Sequence, residues 1–364
     1  MSDTVPRPSK PSRPTGRAKP RQSDIARAAG VSQATVSLVL RGTESGVVLA
    51  AETRRRVLRA AEELGYVPDP VATRLAAARN GMLGLYTFST TFPTDVAHSY
   101  YPVLVGVEEE AAAQGQDLIL FTGASRAADT TSHAAAVRRV RAADGCLFFG
   151  RHVPDDPIRR LSDDGFPFVY IGRRDEPGIS YVGADYVAAS AEVAVRIAEQ
   201  GHRRVRYLRE NDDAPASTDR ERGVVEGARG AGIETAGLVE RTDGGDVDAR
   251  LARWRDAGVT AVITEETDTG AALSGLTAAI ARAGLSCPGD LSLALLGTPA
   301  APAGAALGTA GEISGFSVPM REMGRAAVRL LLDLIEGTPT PRRHLLLACA
   351  PVPGTTIGPP PPAR

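Results

Sequence analysis

The sequence predicts two fold classes in one chain: a small all-α helix-turn-helix domain, then an α/β domain of two lobes on doubly wound parallel sheets. Three observations predict it. Two short helical patterns meet at Gly30. From residue 81 onward, strand-like apolar runs alternate with Ala-rich helical patterns, which is the signature of βαβ units. Finally, the 364 residues divide by charge. Residues 1–80 hold 14 Lys and Arg against 7 Asp and Glu, so the net charge of -1 conceals a basic start and an acidic remainder.

Residues 1–20 are Pro, Ser, Arg and Lys with almost no apolar content and are expected to form a disordered arm. Arg7, Lys10, Arg13, Arg17, Lys19 and Arg21 then serve either nonspecific phosphate attraction or plain solubility. In the first helix Ile25, Ala26 and Ala29 share an inward face; in the second, Val31, Val36, Val39 and Leu40 do. Gly30 supplies the positive φ of a tight turn. Ser32 is placed as the N-cap of the second helix, with Thr35 three residues on. Gln33, Ala34, Thr35 and Ser37 face outward, small enough to enter a major groove and polar enough to reach base edges. A purely structural αα-hairpin is the plain alternative for this window alone. A third helix is predicted over 50–65, with Val57, Leu58, Ala61 and Leu64 at helical spacing and Gly65 closing it. Pro68 and Pro70 stop that helix, and residues 70–78 are too short for a helix stable on its own.

In the remainder, strands are predicted at 82–88, 117–121, 145–149, 167–171, 179–182, 203–208, 236–239, 259–264, 290–296 and 344–350. Helical patterns lie at 102–114, 185–200, 219–231, 267–283 and 319–336. No apolar run reaches the 18 residues of a membrane span, and no secretory signal opens the sequence, so a cytoplasmic location is expected. Cys146, Cys287 and Cys349 are too few and too far apart for a disulfide framework; Cys146 and Cys349 read as small hydrophobes. The five histidines lack ligand spacing, so no metal is expected. No Gly-x-Gly-x-x-Gly follows a strand, and there is no P-loop or nucleophile elbow. The reading is therefore of a non-enzyme without a cofactor. Ligands of such sheets bind at the carboxyl ends of strands. This nominates Arg173, which ends the run from Phe168, and Glu265, Glu266 and Asp268, which follow the run 259–264. Asp185 opens a helix and is read as an N-cap or a ligand contact.

The segments DIARAAGVSQATVSLVLRG (24–42) and ETRRRVLRAAEELGYVPDPVATRL (52–75), with the chain that follows to about residue 355, closely resemble the LacI/GalR family of bacterial transcription regulators. The resemblance implies a sequence-specific regulator, most often a repressor, that binds a near-palindromic double-stranded DNA operator as a homodimer. It also implies periplasmic-binding-protein-like lobes joined by crossing strands, with a small-molecule effector, a sugar or related metabolite, in the cleft between them. The DNA-reading residues would be Ser32, Gln33, Ala34, Thr35, Ser37, Leu38 and Arg41. Hinge residues Val71, Ala72 and Leu75 would enter the minor groove, with Leu75 as a wedge that kinks the duplex. Effector contacts would come from Tyr101 (or its neighbour Tyr100), Arg173, Asp185, Arg220, Glu266, Asp268 and Thr298. The implied organisation is an arm (1–20), a helix-turn-helix domain (21–67), a hinge (68–80), an effector and dimerisation domain (81–358) and a tail (359–364). The first lobe would take about 81–183 and 299–337, the second about 184–298 and 338–358.

Two departures qualify the resemblance. The family usually carries Arg where this chain has Leu38, and Leu cannot read a guanine bidentately. Family members also commonly carry a sugar-binding Asp after Gly297, where Thr298 and Pro299 stand here. Two other functions are weighed on the same residues. A solute-binding protein of the same body fold is disfavoured by the helix-turn-helix and the missing signal, and a nucleotide-dependent enzyme by the absent phosphate motifs.

Overall fold

The computed structural model describes residues 20–41, 49–66, 79–87, 100–121, 137–150, 155–267, 269–299, 311–338 and 343–362. The chain separates into two compact units, residues 1–80 and 81–364.

The first unit is helical: α1 (Gln22–Ala29), α2 (Gln33–Arg41) and α3 (Ala51–Glu63). Gly30 ends α1 at φ 65°, the left-handed conformation that glycine adopts without strain. Ile25, Val36 and Val57 are completely buried at the centre of the three helices. On α3 the inward stripe is Val57, Ala60 and Ala61, while Leu58 and Leu64 are exposed. Of the four residues at helical spacing, Val57 and Ala61 alone are thus buried. Residues at i, i+3 and i+4 share a helix face, and Leu58 lies about 100° away from Val57 around the axis.

The second unit holds two six-stranded sheets. The first is formed by β1 (Met82–Thr87), β2 (Asp117–Phe121), β3 (Gly145–Phe149), β4 (Phe168–Ile171), β5 (Tyr181–Ala184) and β11 (His344–Leu347). Its order is β11-β5-β4-β3-β1-β2, and every pairing is parallel. The second holds β6 (Val205–Glu210), β7 (Val239–Thr242), β8 (Ala261–Glu265), β9 (Ser292–Leu296), β10 (Ser314–Ser317) and β12 (Ala350–Val352). Its order is β12-β10-β9-β8-β6-β7, parallel except for the β10–β12 pair. Buried runs such as Cys146-Leu-Phe-Phe149 and Ser292–Leu296 are what strands covered on both faces require.

Helices cover these sheets. The first lobe carries α4 (Tyr101–Ala113), α5 (Asp155–Asp163) and α10 (Met320–Glu336); the second carries α6 (Tyr186–Glu199), α7 (Pro215–Gly230), α8 (Val247–Asp256) and α9 (Ala271–Arg282). Two helix pairs approach closely through glycine. A Cβ at Gly106 of α4 would collide with the Arg321 carbonyl of α10, and one at Gly223 of α7 with the Val187 carbonyl of α6.

The lobe boundaries differ from the expectation. Residues 314–317 lie in the second sheet, not the first, and residues 344–347 lie in the first, not the second. The predicted strand 344–350 is two strands, one in each sheet. The polar four-residue β10, Ser-Gly-Phe-Ser, carries no alternation a sequence reading can detect, and the pairing of β11 with β5 spans more than 150 residues. The chain therefore crosses between lobes three times, at 184–186, 317–320 and 347–350. Cys349 sits in the last crossing, where burial pushes its thiol up to about 12.

A buried seam fastens residues 356–358 to the second lobe. His202, fully buried, donates from Nε2 to the Gly358 carbonyl at 2.8 Å and accepts at Nδ1 from the Thr260 hydroxyl at 2.7 Å. Burial holds the His202 pKa below its usual value; the Gly358 bond opposes this and Arg203 adds to it. As pH falls, the unfolded chain takes up this proton first. Stability is therefore full above the ordinary histidine value of about 6.5 and declines below it. Melting temperature is expected to fall from about pH 7 to about pH 5.5, and to fall less in His202→Gln; equal slopes in the two proteins would contradict this assignment.

Candidate DNA-reading helix and inter-lobe cleft

The second helix of the head is positioned by its own cap. The Ser32 hydroxyl accepts from the Thr35 backbone N–H at 3.1 Å and contacts the Thr35 hydroxyl at 2.9 Å, as the spacing predicts. At the start of α1, the Asp24 carboxylate accepts from the Arg21 backbone N–H at 2.9 Å, which suits the positive end of a helix. Val36 and Val39 turn inward, leaving Ser32, Gln33 and Ala34 exposed at the start of α2 and Thr35, Ser37 and Leu38 half-buried. α2 thus presents its N-terminal turn, the part that contacts bases in helix-turn-helix proteins. The Arg41 side chain and the hinge residues Val71, Ala72 and Leu75 lie outside the described residues.

In the two-lobed unit, both sheets repeat one strand order, with a reversal between β1 and β3 in the first and between β6 and β8 in the second. The carboxyl ends beside such a reversal form a crevice. A cavity there is lined from the first lobe by Tyr100, Tyr170, Arg173 and Arg174, from the second by Tyr186 and Pro215, and by Met320 at a crossing. Tyr100 leans on Phe149 with ring centroids 5.6 Å apart. Tyr170 donates to the Gly150 carbonyl and carries the Arg174 guanidinium over its ring at 5.0 Å.

Of the two arginines named from sequence, Arg173 lines this cavity and Arg220 stacks on its Tyr186. Arg173, from the first lobe, donates from Nε to Asp219 of α7 in the second lobe, and from Nη1 to Asp175. Burial lowers the Arg173 pKa, and the bonds to Asp219 and Asp175 outweigh it, for a net rise. Arg220, 4% exposed, lies with its guanidinium 4.1 Å from the centre of the Tyr186 ring. Its Nε and Nη1 are buried without a hydrogen-bond partner. Beside it, Glu265 is fully buried, its Oε2 accepting from Ser217 at 2.8 Å and from Tyr207 at 3.2 Å. Burial raises the Tyr207 pKa well above its usual value and the neighbouring Glu265 charge adds to it, keeping the hydroxyl protonated as a donor. Arg209, without any exposure, pairs with Glu221 and with the carbonyls of Asp212 and Glu210.

The other nominated residues are placed differently. Asp185 is the N-cap of α6, accepting from the Ala188 backbone N–H at 3.0 Å, so its carboxylate is committed to the helix. Tyr101 is half-buried as the first residue of α4, while its neighbour Tyr100 lines the cavity; consecutive residues at a helix start diverge by about 100°. Glu266 stands beside Gly297, whose Cβ would lie 3.1 Å from that of Glu266. Thr298 is exposed, and its hydroxyl accepts from the Val318 N–H at 3.0 Å, bracing a crossing. Asp268 lies outside the described residues. Sequence reasoning missed Tyr170, Tyr186 and Asp219. The available signal for Tyr186 and Asp219 was adjacency, since they directly follow Asp185 and precede Arg220.

A model of the lacI family of bacterial regulatory proteins matches residues 23–69, and a model of the periplasmic binding protein-like domain matches residues 194–357. The HTH-type transcriptional regulator CelR of Thermobifida fusca is 28% identical over 337 residues, covering 91% of this chain and 96% of CelR. The HTH-type transcriptional regulator AscG of Escherichia coli is 29% identical over 58% of this chain and 61% of its own length. A solved transcriptional regulator CelR–cellobiose complex superposes with a TM-score of 0.64 at 26% identity, covering 93% of this chain and 99% of that one. The lac repressor dimer bound to operator and the anti-inducer ONPF shares the fold, with a TM-score of 0.69 at 20% identity over 92% of this chain and 98% of its own. A helix-turn-helix domain joined to a two-lobed, periplasmic-binding-protein-like domain is the architecture of these transcriptional regulators. Residues 23–69 are thus a LacI-family helix-turn-helix domain and residues 194–357 part of a periplasmic-binding-protein-like domain; the chain's relatives are transcriptional regulators, not enzymes. Among the described residues no helix is long and apolar enough to cross a membrane, and no cluster fit to hold a metal ion is present.

Replacing Ser32 separates its two assigned roles. Ser32→Ala is expected to cost the head about 1 kcal/mol by loss of the cap. Ser32→Asp, an equally good cap, should keep that stability and still weaken DNA binding by placing negative charge against phosphates. Helix melting by circular dichroism together with filter binding checks both; a melting loss in both variants would dismiss the cap.

Proposed function

We propose that the protein is a repressor whose affinity for DNA is set by a small polar metabolite, a sugar or a related compound, bound between the two lobes. Two heads on a homodimer read the half-sites of a near-palindromic operator, since the two-fold symmetry of the protein is mirrored in the DNA. Gln33, Thr35 and Ser37 contact base edges. Leu38 in place of the family's arginine relaxes or shifts the base preference at its position. Val71, Ala72 and Leu75 meet the minor groove at the operator centre, with Leu75 as the wedge.

The observation that carries the effector part is Arg220: a buried guanidinium with unused donors, stacked on Tyr186 at the edge of the cavity. Buried donors are ordinarily satisfied, and a guanidinium fork suits a ligand rich in acceptor oxygens. The relative CelR is known in complex with cellobiose, which supports a saccharide. An effector with different affinity for two lobe arrangements shifts their balance, and with it the separation of the hinges and heads.

Selection of bound DNA from a random library by the full-length protein is expected to yield a palindromic consensus of roughly 14–20 base pairs. On that site Leu75→Ala should lose far more affinity than on random DNA; equal losses would remove the wedge. Arg220→Ala should keep its affinity for the site and lose the response to effector. Retention of a full response would place the effector elsewhere.

A further inference from the structure

Backbone joins the two lobes at the three crossings, and a side-chain bridge joins them elsewhere. Of the ion pairs between described residues, Arg173–Asp219 alone spans the lobes. Arg173 follows β4 in the first lobe, and Asp219 lies early in α7 of the second. The Asp219 side chain is 4% exposed and that of Arg173 18%, so solvent screens the pair only weakly. Arg173 lines the cavity, whereas Asp219 stands behind it and reaches the cavity through Arg173.

Each partner also has a substitute in its own lobe. Arg173 donates from Nη1 to Asp175, and the Asp219 carboxylate accepts from Arg222 at 3.1 Å. When the lobes part, the bond between them breaks, yet Arg173 keeps Asp175 and Asp219 keeps Arg222. Neither charge is left buried and unpaired, which is the costly outcome for an ion pair out of water. A permanent strut has no use for such substitutes. A pair that has them can release and re-form, which puts two lobe arrangements within reach of each other.

The size of the cavity makes release necessary. Arg173 from one lobe and Ala214, Pro215 and Ala216 from the other border a space of about 70 Å³. Small-molecule sites run to roughly 300 Å³ or more. A saccharide therefore enters only when the lobes separate, and separation requires this pair to open.

We propose that Arg173 and Asp219 form a releasable latch that holds the lobes together and gates entry to the cleft. Asp219 is thereby a positioning residue, and Asp175 and Arg222 are local competitors that ease release. The latch concerns the two lobes alone; its effect on DNA rests on the coupling given under Proposed function.

The experiment measures the distance between lobes in the full-length protein by pulsed electron paramagnetic resonance. One spin label goes in each lobe, at the exposed positions Asp163→Cys and Arg255→Cys. Labelled chains are diluted in unlabelled ones, so that distances within one chain are read. Asp219→Asn removes the charge that crosses between lobes. It should raise the ratio of separated to closed lobes at least about threefold, well inside the scale of a hydrogen bond to a charged group. Arg222→Gln removes a competitor and should leave that ratio unchanged or lower it. A role in folding alone would move both variants the same way, and melting temperatures are compared for that reason. Equal shifts in the two variants, or no shift in Asp219→Asn, overturn the latch. Should Asp219→Asn fail to fold, Arg173→Gln breaks the same bond from the first lobe, with Asp175→Asn as its local control. Affinity for the selected DNA site is then compared in the same proteins. A distance shift with unchanged affinity supports the latch and removes the coupling under Proposed function; without a distance shift the latch falls, whatever the affinity.

Discussion

The second lobe is organised around a charge with no access to water. Arg209 has no exposed surface, and an unpaired buried guanidinium costs several kcal/mol. Glu221 from α7, the carbonyls of Asp212 and Glu210, and Glu265 of β8 at 3.9 Å surround it. Satisfying that one group ties β6, α7 and β8 together at their functional ends. α7 has little freedom once Glu221 is engaged. The residue before it, Arg220, is then held about 100° round the helix, over Tyr186. Two consecutive residues thus divide the work, one anchoring the helix and the other lying against Tyr186, which lines the cavity.

The two lobes use one strand order for different surfaces. At its reversal the first lobe presents rings: Tyr100 against Phe149, with Tyr170 beside them. The second presents charged and hydroxyl groups on the ends of β6 and β8 and on the first turns of α7. An aromatic wall therefore faces a hydrogen-bonding floor. The link between them is polar as well, since Arg173 reaches across to Asp219. Glycine sets how close the flanking helices come: Gly106 and Gly324 join α4 to α10, and Gly223 and Gly227 join α7 to α6.

Much of this was legible in the sequence, for physical reasons. Buried parallel strands must be apolar throughout, so β3, β8 and β9 stood out. The head was legible because a positive-φ glycine, a serine cap and two apolar faces recur at fixed spacing. What escaped was whatever depends on distant partners. β10 is too short and polar to signal itself, and the pairings of β11 and β12 are set by strands far away in sequence. Arg209 and Asp219 are absent from the sequence reading, since nothing local announces that a charge will be buried and paired. Leu58 and Leu64 share the helical spacing of Val57 and Ala61 yet are exposed, because apolar residues flank the inward stripe of α3. In the cleft, Arg173 and Arg220 were found and Tyr186 and Asp219 were not, although each adjoins a residue that was named.

The three crossings between lobes have a consequence for synthesis. β11 completes the first sheet and β12 the second, and both come from residues 344–352. α10, which covers β3, β4 and β5 of the first lobe, is likewise made only after every described helix of the second lobe. A chain emerging from the ribosome can therefore assemble its head early, as N-terminal domains do. Neither lobe has its full set of strands until nearly 350 residues have been made. For most of translation the first lobe exposes the sheet face that α10 will cover, so the interval of greatest aggregation risk falls late and involves both lobes at once.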